Sequence, residues 1–356
     1  MNGIVLGTFY GDCGKGQCVN NLCKNSIDNG KRPLVVRFSG GHQVGHNVLH
    51  DGFHHCFSNF GSGTLLGVPT YWSEYCTVDP ITTMAELKVL KDAGYSPEII
   101  YSPFCQIVVP FDVWHQWNDE DNRKHGTVGT GFKACLDRVK AGYSITMAEA
   151  RNPIILREKL YAIMNHYYKV DSKLPMFNLD KWVLAVSTFV RYVKLRHFSQ
   201  VRNLFDDLIF EGSQGILLDQ RFGIMPYCTP SNTTCKNAME LLGGDDAHHY
   251  YVCRPYITRH GNGPLCNSEP IIEVNDENNQ YNDFQKTMRA SEFSVELLEH
   301  SIGIDALFVN QDRPYYKKLV FSHAKELTRD LLDKIPPIFD GIMGFEFEER
   351  VNLRRL

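Results

Sequence analysis

"GIVLGTFYGDCGKGQ", Gly3 to Gln17, runs from an apolar, strand-like segment straight into three glycines spaced around one lysine. A strand that ends in a glycine-rich turn presents successive backbone N–H groups to an anion, and a following helix adds its positive N-terminal end. "GQCVNNLCKNSID" (16–28) has helical spacing at Val19, Leu22 and Cys23, and "PLVVRF" (33–38) is a second apolar run. Together they predict a strand–helix–strand unit, the building block of a parallel sheet covered by helices. The loop departs from the usual phosphate loop, GxxxxGK[ST]. Only Asp12 and Cys13 separate Gly11 from Gly14, and Gly16 stands where a hydroxyl residue would hold magnesium. Asp12, inside the nest, is able to supply a metal oxygen, a base, or both in turn.

Working outward, the same alternation recurs. Strands are predicted at "EIIYS", "QIVVP", "LIFEG", "YYVCRPYIT" and "ALFVNQD", and helices at "ITTMAELKVLKDAG", "NPIILREKLYAIMNHYYK", "DKWVLAVSTFVRYVKLRHFS" and "SVELLEHSIG". Ligands of open α/β sheets sit at the carboxyl ends of the strands, so glycine-rich loops far apart in sequence converge on one site. The polar stretch 275–286 reads as a surface loop.

The 356 residues carry 37 basic and 41 acidic side chains, so no global positive field attracts a nucleic-acid backbone. Eleven cysteines, odd in number and without a CxxC pair, read as free thiols of a reducing compartment. No apolar run approaches the roughly 18–20 residues that span a bilayer. A cytoplasmic protein that binds neither membrane nor nucleic acid is expected.

"RFSGGHQVGHNV" (37–48) sets His42 and His46 four apart among glycines. Zinc would need further ligands, which no local Cys or acidic motif supplies; an imidazolium beside a phosphate nest would instead stabilise charge on a transferring phosphoryl group. "HGTVGTGFKACLDRV" (125–139) offers hydroxyls and amides ahead of a helix, a second anion site. "FEGSQGILLDQRFGIMPYCTPSNTT" (210–234) combines a strand end, an amide and a hydroxyl cluster, which suits a nucleobase or ribose.

The order of these motifs, GDxGKG, RFxGGHxxGH, HGTxGTG, EGxQGxLLDxxxGxxPxxTxSNTT and YxTRxGxGP (256–264), resembles the adenylosuccinate synthetase family over nearly the whole chain. The resemblance implies an α/β fold with a large, mostly parallel central sheet flanked by helices, related to phosphate-loop GTPases. It implies one domain over 1–356 with helical and loop insertions. It also implies a homodimeric ligase that condenses IMP with L-aspartate, driven by GTP with Mg2+.

Carried onto this sequence, the resemblance makes Asp12 the base at purine N1 and a magnesium ligand. His46 would protonate or polarise the 6-oxygen as it is phosphorylated, with the Gly45 carbonyl facing the metal. A 6-oxo group leaves poorly and a 6-phosphoryl ester readily, so two steps replace one. Gly11, Cys13, Gly14, Lys15, Gly16 and Gln17 would cradle the triphosphate. Gln43, Thr127, Val128, Lys140, Gln214, Leu218, Thr229 and Arg259 fall on the side of the purine nucleoside monophosphate. Thr287 and Arg289 in "FQKTMRAS" would hold the carboxylates of aspartate. For the base of the triphosphate the family uses lysine, any residue, then aspartate after a late strand. "LFVNQDR" keeps the acid as Asp312 with Asn310 in place of the lysine, and Gly344 belongs to the C-terminal loop beside the base.

A viral branch of the family makes N6-succino-2-amino-2′-deoxyadenylate from dGMP with ATP or dATP. That branch typically has GSTGKG, whereas this chain keeps Asp12. IMP with GTP is therefore the expected pair, and dGMP with an adenine nucleotide the alternative. A nucleotide-dependent switch without ligase chemistry would need neither Asp12 nor the purine loop.

Overall fold

Alternation along the first strand builds both faces of the sheet. Ile4 and Leu6 pack on one side with Leu34, Val36, Phe210 and Phe321; Val5 packs on the other with Val19, Cys23, Val35 and Val320. A strand buried on both faces belongs in the middle of a parallel sheet. The computed structural model describes residues 2–119, 129–170, 173–265 and 288–347.

Its strands are β1 (Asn2–Gly7), β2 (Pro33–Arg37), β3 (His46–His50), β4 (Phe53–Phe57), β5 (Thr70–Trp72), β6 (Thr77–Val78), β7 (Ile99–Tyr101), β8 (Gln106–Ile107), β9 (Lys194–Leu195), β10 (Asp207–Gly215), β11 (Ala247–Cys253), β12 (Tyr256–Arg259), β13 (Arg289–Glu292), β14 (Tyr316–Ser322) and β15 (Gly341–Phe345). Its α-helices are α1 (Lys15–Asp28), α2 (Pro80–Asp92), α3 (Pro110–Asn118), α4 (Phe132–Lys140), α5 (Pro153–Val170), α6 (Leu179–Tyr192), α7 (Phe198–Val201), α8 (Lys236–Leu242), α9 (Val295–Ala306) and α10 (Arg329–Lys334).

Nine strands form the main sheet in the order β15-β14-β11-β1-β10-β2-β5-β7-β9, and every neighbouring pair is parallel. β1 lies between β10 and β11, so the loop at its carboxyl end opens near the middle of the sheet. The expected fold class is therefore found. α5 and α6 pack over Trp72, Tyr101 and Phe111 in a separate apolar cluster through Leu156, Leu160, Ile163, Val183, Val186 and Val190. α3 and α4 are joined by a fully buried ion pair: Arg138 donates through Nε to Asp112 Oδ1 at 2.8 Å and through Nη2 to Oδ2 at 2.9 Å.

Two strand expectations need correction. "YYVCRPYIT" divides into β11 and β12 at Arg254–Pro255, because proline has no N–H to continue a ladder. "ALFVNQD" is not a strand: Ala306 ends α9, turns follow, and Phe308 and Val309 pack against the core from that turn. The edge-side strand is β14, "YKKLVFS", further on.

Candidate active site

α1 starts at Gly14, whose left-handed backbone (φ 83°) lets the chain turn from the loop into the helix without a side-chain cap. The first-turn amides of α1 are thus left to face a ligand. A Cβ on Gly14 would stand 2.9 Å from the Ser322 Cβ, so only glycine fits where the loop passes the end of β14. Asp12 also adopts a left-handed conformation (φ 51°), and neighbouring strand ends tie down the loop carbonyls. Thr258 Oγ1 donates to the Gly11 carbonyl at 3.0 Å and Arg254 Nε to the Asp12 carbonyl at 2.6 Å. The Asp12 carboxylate stays partly exposed, 3.5 Å from His260 Nε2. Lys15 is buried with its Nζ 3.7 Å from the Cys13 sulfur. A buried ammonium favours an anion beside it.

These residues line one wall of a cleft of about 720 Å³. The facing wall carries Gln43, Gly45 and His46 from the β2–β3 connection, and Ser213, Gln214, Leu218 and Thr229 from the end of β10 and the loop after it. The amide N and O of Gln43 and the hydroxyl of Thr130 are buried with no hydrogen-bond partner among the described residues, so their polar atoms are left for a ligand. α4 points its uncapped N-terminus, after left-handed Gly131, at the same space. Thr130, Phe132 and Lys133 line that end, and Lys140, at the other end of α4, also lines the cleft.

At the centre, His46 Nδ1 lies 2.6 Å from Glu211 Oε1. Glu211 is wholly buried in the middle of β10, level with Val5 and Arg37, and also accepts the Ser62 hydroxyl and, at 3.1 Å, the Ser62 N–H. Burial opposes its ionisation, but the His46 ring, Arg37 and the Ser62 bond outweigh that and hold the carboxyl down at about 2. A carboxylate only accepts, so Nδ1 carries the proton. Burial pulls the His46 ring below its ordinary value, with Arg37 and Lys15 adding to this and Glu211 opposing it. Nε2 is 3.4 Å from the Ser213 carbonyl, a contact made only when that nitrogen is protonated. The pair can therefore hold a proton at Nε2, with the resulting charge neutralised by Glu211.

The structure brings most of the expected residues together. Gly11 to Gly16, Gln43, Gly45, His46, Lys140, Gln214, Leu218, Thr229 and Arg259 all line the cleft. Gln17 lies in the first turn of α1, where its Oε1 accepts the Leu49 N–H at 2.9 Å and holds β3 against the loop. Arg259 stacks 4.1 Å over Tyr10 and donates to the Tyr227 and Pro264 carbonyls, so it also ties the surrounding loops. Arg289 is opposite Arg259 in the antiparallel β12–β13 ribbon, bonded to the carbonyls of Gly261 and Gly263. Gly344 lies in β15, one residue before Phe345, which packs beside Gly14. Thr127, Val128, Thr287 and the 275–286 stretch lie outside the described residues.

Asn310 and Asp312 are a correction. They precede β14, and Arg313 next to them bonds Gly244 and Asp246 ahead of β11. That is the amino end of a parallel sheet, opposite the cleft. The carboxyl end of β14 instead reads Ser322, His323, Ala324, Lys325. Sequence reasoning also left Glu211, Arg254, His260 and Phe347 without a role. The acid that closes the apolar run "LIFEG" was the available signal for Glu211.

An α/β protein with a central parallel sheet, a glycine–lysine anion nest on its middle strand and a buried His–carboxylate pair across the cleft belongs with the nucleotide-phosphate-binding folds. The family model for adenylosuccinate synthetase matches residues 4–290, and the chain belongs to that family. It is 30% identical over 283 residues to adenylosuccinate synthetase 1 of Pseudoalteromonas translucida, covering 74% of this chain and 63% of that protein. It is 28% identical over 333 residues to the Hahella chejuensis adenylosuccinate synthetase, covering 86% and 74%. The matches thus span a little under two thirds of several curated relatives. The fold is similar to fully ligated adenylosuccinate synthetase from Plasmodium falciparum (TM-score 0.71, 18% identity, 89% of this chain and 76% of that one). It is also similar to the cyanophage S-2L succinoaminodeoxyadenylate synthetase bound to dGMP and dATP (TM-score 0.65, 14% identity, 93% and 87%).

Proposed function

We propose that the protein is a carbon–nitrogen ligase that joins L-aspartate to C6 of a 6-oxopurine nucleoside monophosphate, IMP, through a 6-phosphoryl intermediate formed from a purine nucleoside triphosphate. The observation that carries this reading is the pairing, across one cleft, of a partly exposed carboxylate in the anion nest, Asp12, with the His46–Glu211 pair. Asp12 takes the purine N1 proton, which concentrates negative charge on the 6-oxygen. His46 meets that oxygen with a proton on Nε2, and Glu211 keeps the ring oriented and its charge compensated. Gln43, Thr130, Gln214 and Thr229 supply neutral hydrogen-bonding atoms for the base, sugar and phosphate of the monophosphate. Lys15 and the α1 amides take the triphosphate.

Magnesium fits the donor set by its chemistry. A hard cation takes oxygens and is commonly bound through one or two protein oxygens plus substrate phosphates, and Asp12 with the Gly45 carbonyl would provide these. Bound there, the ion would neutralise developing phosphate charge. The one compact group of candidate ligands among the described residues, Cys235, His249 and Asp305, suits it less. It offers sulfur and nitrogen, and the Asp305 oxygens already accept the Cys235 N–H and the Tyr251 hydroxyl.

The family's homodimer and cytoplasmic location form part of the same proposal; no described helix is long and apolar enough to cross a membrane. The test is formation of succinyl-purine with phosphate release that depends on aspartate and IMP together. Phosphate release without either substrate would reject the ligase reading, and product from dGMP alone would move the chain to the 2-aminopurine reaction.

A further inference from the structure

β3 and β4 form a two-stranded ribbon outside the main sheet, and His46 is its first residue. The place of His46 over the cleft therefore depends on what ties the ribbon down. On the β4 side, the Glu86 carboxylate of α2 accepts the Asn59 N–H at 2.7 Å and the Asn59 side-chain amide at 2.9 Å, and lies 3.2 Å from His55 Nε2. At the base, Glu211 holds the His46 ring and Ser62. On the β3 side the tie comes from the anion nest. A Cβ on Gly16 would stand 2.9 Å from the His46 Cβ and 3.1 Å from the Asn47 carbonyl oxygen, so the first turn of α1 lies directly against the start of β3. Gln17, next along, is buried and does not reach the cleft wall that Lys15 and Gly16 line. Its Oε1 accepts the Leu49 N–H at 2.9 Å, and its Nε2 donates to Asn21 Oδ1 at 3.2 Å, one turn further along α1.

Resting on the reading of His46 as the group that meets the purine 6-oxygen, we propose that Gln17 is a positioning residue for the ligase reaction and not a side-chain contact of the triphosphate. Its oxygen fixes β3, and with it His46, against the anion nest. The resemblance places Gln17 in the triphosphate cradle, but only its backbone N–H, a first-turn amide of α1, belongs there; the side chain is spent on β3. A neutral amide suits this place because it accepts from a strand and donates within its own helix at once, and adds no charge beside the phosphates. Without the oxygen the Leu49 N–H loses this partner and the ribbon loses its tie to α1. A shift of about 1 Å in a reacting group costs up to about a hundredfold in rate.

The experiment compares the full-length wild type with Gln17→Met, which keeps the side-chain length without the oxygen, and Gln17→Glu, which keeps an accepting oxygen. The readouts are succinyl-purine formation with kcat and KM separated, calorimetric titration of ADP with magnesium, and the downfield proton NMR signal of the His46 Nδ1–H, assigned by its loss in His46→Asn. In Gln17→Met, kcat is expected to fall about tenfold to a hundredfold, ADP affinity to change by less than about twofold, and the Nδ1–H signal to move or broaden. Gln17→Glu is expected to recover most of the lost kcat. ADP binding weakened about tenfold with the signal unmoved would put the side chain in the cradle and overturn the proposal. Unchanged kcat and signal with a lowered thermal midpoint would leave only a structural tie, and no recovery in Gln17→Glu would take the oxygen out of the role; either overturns it as well. ADP binding and the NMR signal need no turnover. A wild type that makes no succinyl-purine therefore rejects the ligase reading, while the signal in Gln17→Met still decides whether Gln17 places His46.

Discussion

Replacing Glu211 by glutamine tests the charge logic of the site most directly. The substitution keeps shape and a carbonyl oxygen for the His46 Nδ1–H and Ser62, but removes the negative charge that opposes burial in setting the His46 ring. A hydrogen bond to a charged group contributes about 1.5–3 kcal/mol, so without it the ring should fall further below its ordinary value. Turnover that needs a proton on Nε2 should then fall about tenfold to a hundredfold at pH 7–8, and by less as the pH is lowered and the ring is protonated again. Stability provides a second readout. Glu211 is held at about 2, against an ordinary 4.5, so its ionised form stabilises the fold. A depressed carboxyl contributes above its unfolded value and loses the contribution as pH falls toward its folded one. The difference in denaturation midpoint between wild type and Glu211→Gln should therefore be full at pH 6 and shrink between about pH 4.5 and 2. The assay is kcat against pH for both proteins, with Glu211→Asp as a charge-retaining control. A loss of turnover by the same factor at every pH, or no loss at all, would refute the reasoning.

Three further predictions follow from the same geometry. Asp12→Asn keeps a residue that tolerates the left-handed backbone, removes the carboxylate from a partly exposed position and should lower turnover at least a hundredfold with the thermal midpoint little changed; near-normal turnover in a succinyl-purine assay would remove Asp12 as the base. Gly14→Ala places a methyl group 2.9 Å from Ser322 in a left-handed backbone and should weaken triphosphate binding at least tenfold, measured by calorimetry, while IMP binding changes little. Asp112→Asn leaves Arg138 buried with its charge uncompensated and should cost about 3–5 kcal/mol in urea denaturation; a cost below 1 kcal/mol would show that the pair is not a structural tie.

The start of the chain was legible because local rules and tertiary structure agree there. β1, the glycine nest, α1 and β2 fall within two residues of where periodicity places them. The nucleotide-base end was misread for a physical reason. "ALFV" has the apolar density of a strand, but it continues an amphipathic helix and packs from a turn. β14 opens with the half-exposed Tyr316, Lys317 and Lys318 and is apolar only over Leu319–Phe321. Pattern reading therefore placed the strand, and with it the acid, at the wrong end of the sheet. Glu211 was hidden differently. Its meaning depends on His46, 165 residues away, and nothing local within a strand announces that a carboxylate will be buried and paired.

The end of β10 is stapled to the anion nest. A Cβ on Gly215 would come within 2.0 Å of the Phe9 carbonyl and 2.5 Å of the Gly11 nitrogen, and Leu217 N–H donates to the same carbonyl at 3.0 Å. With Gln214 beside Gly215 and Asp12 beside Gly11, the two segments proposed to face the nucleotides lie backbone against backbone, with no room to slide past one another. For a compound that joins a monophosphate mimic to a triphosphate mimic, this makes the span between the halves a fixed length. One linker should fit, and lengthening or shortening it by a single methylene should be felt in affinity.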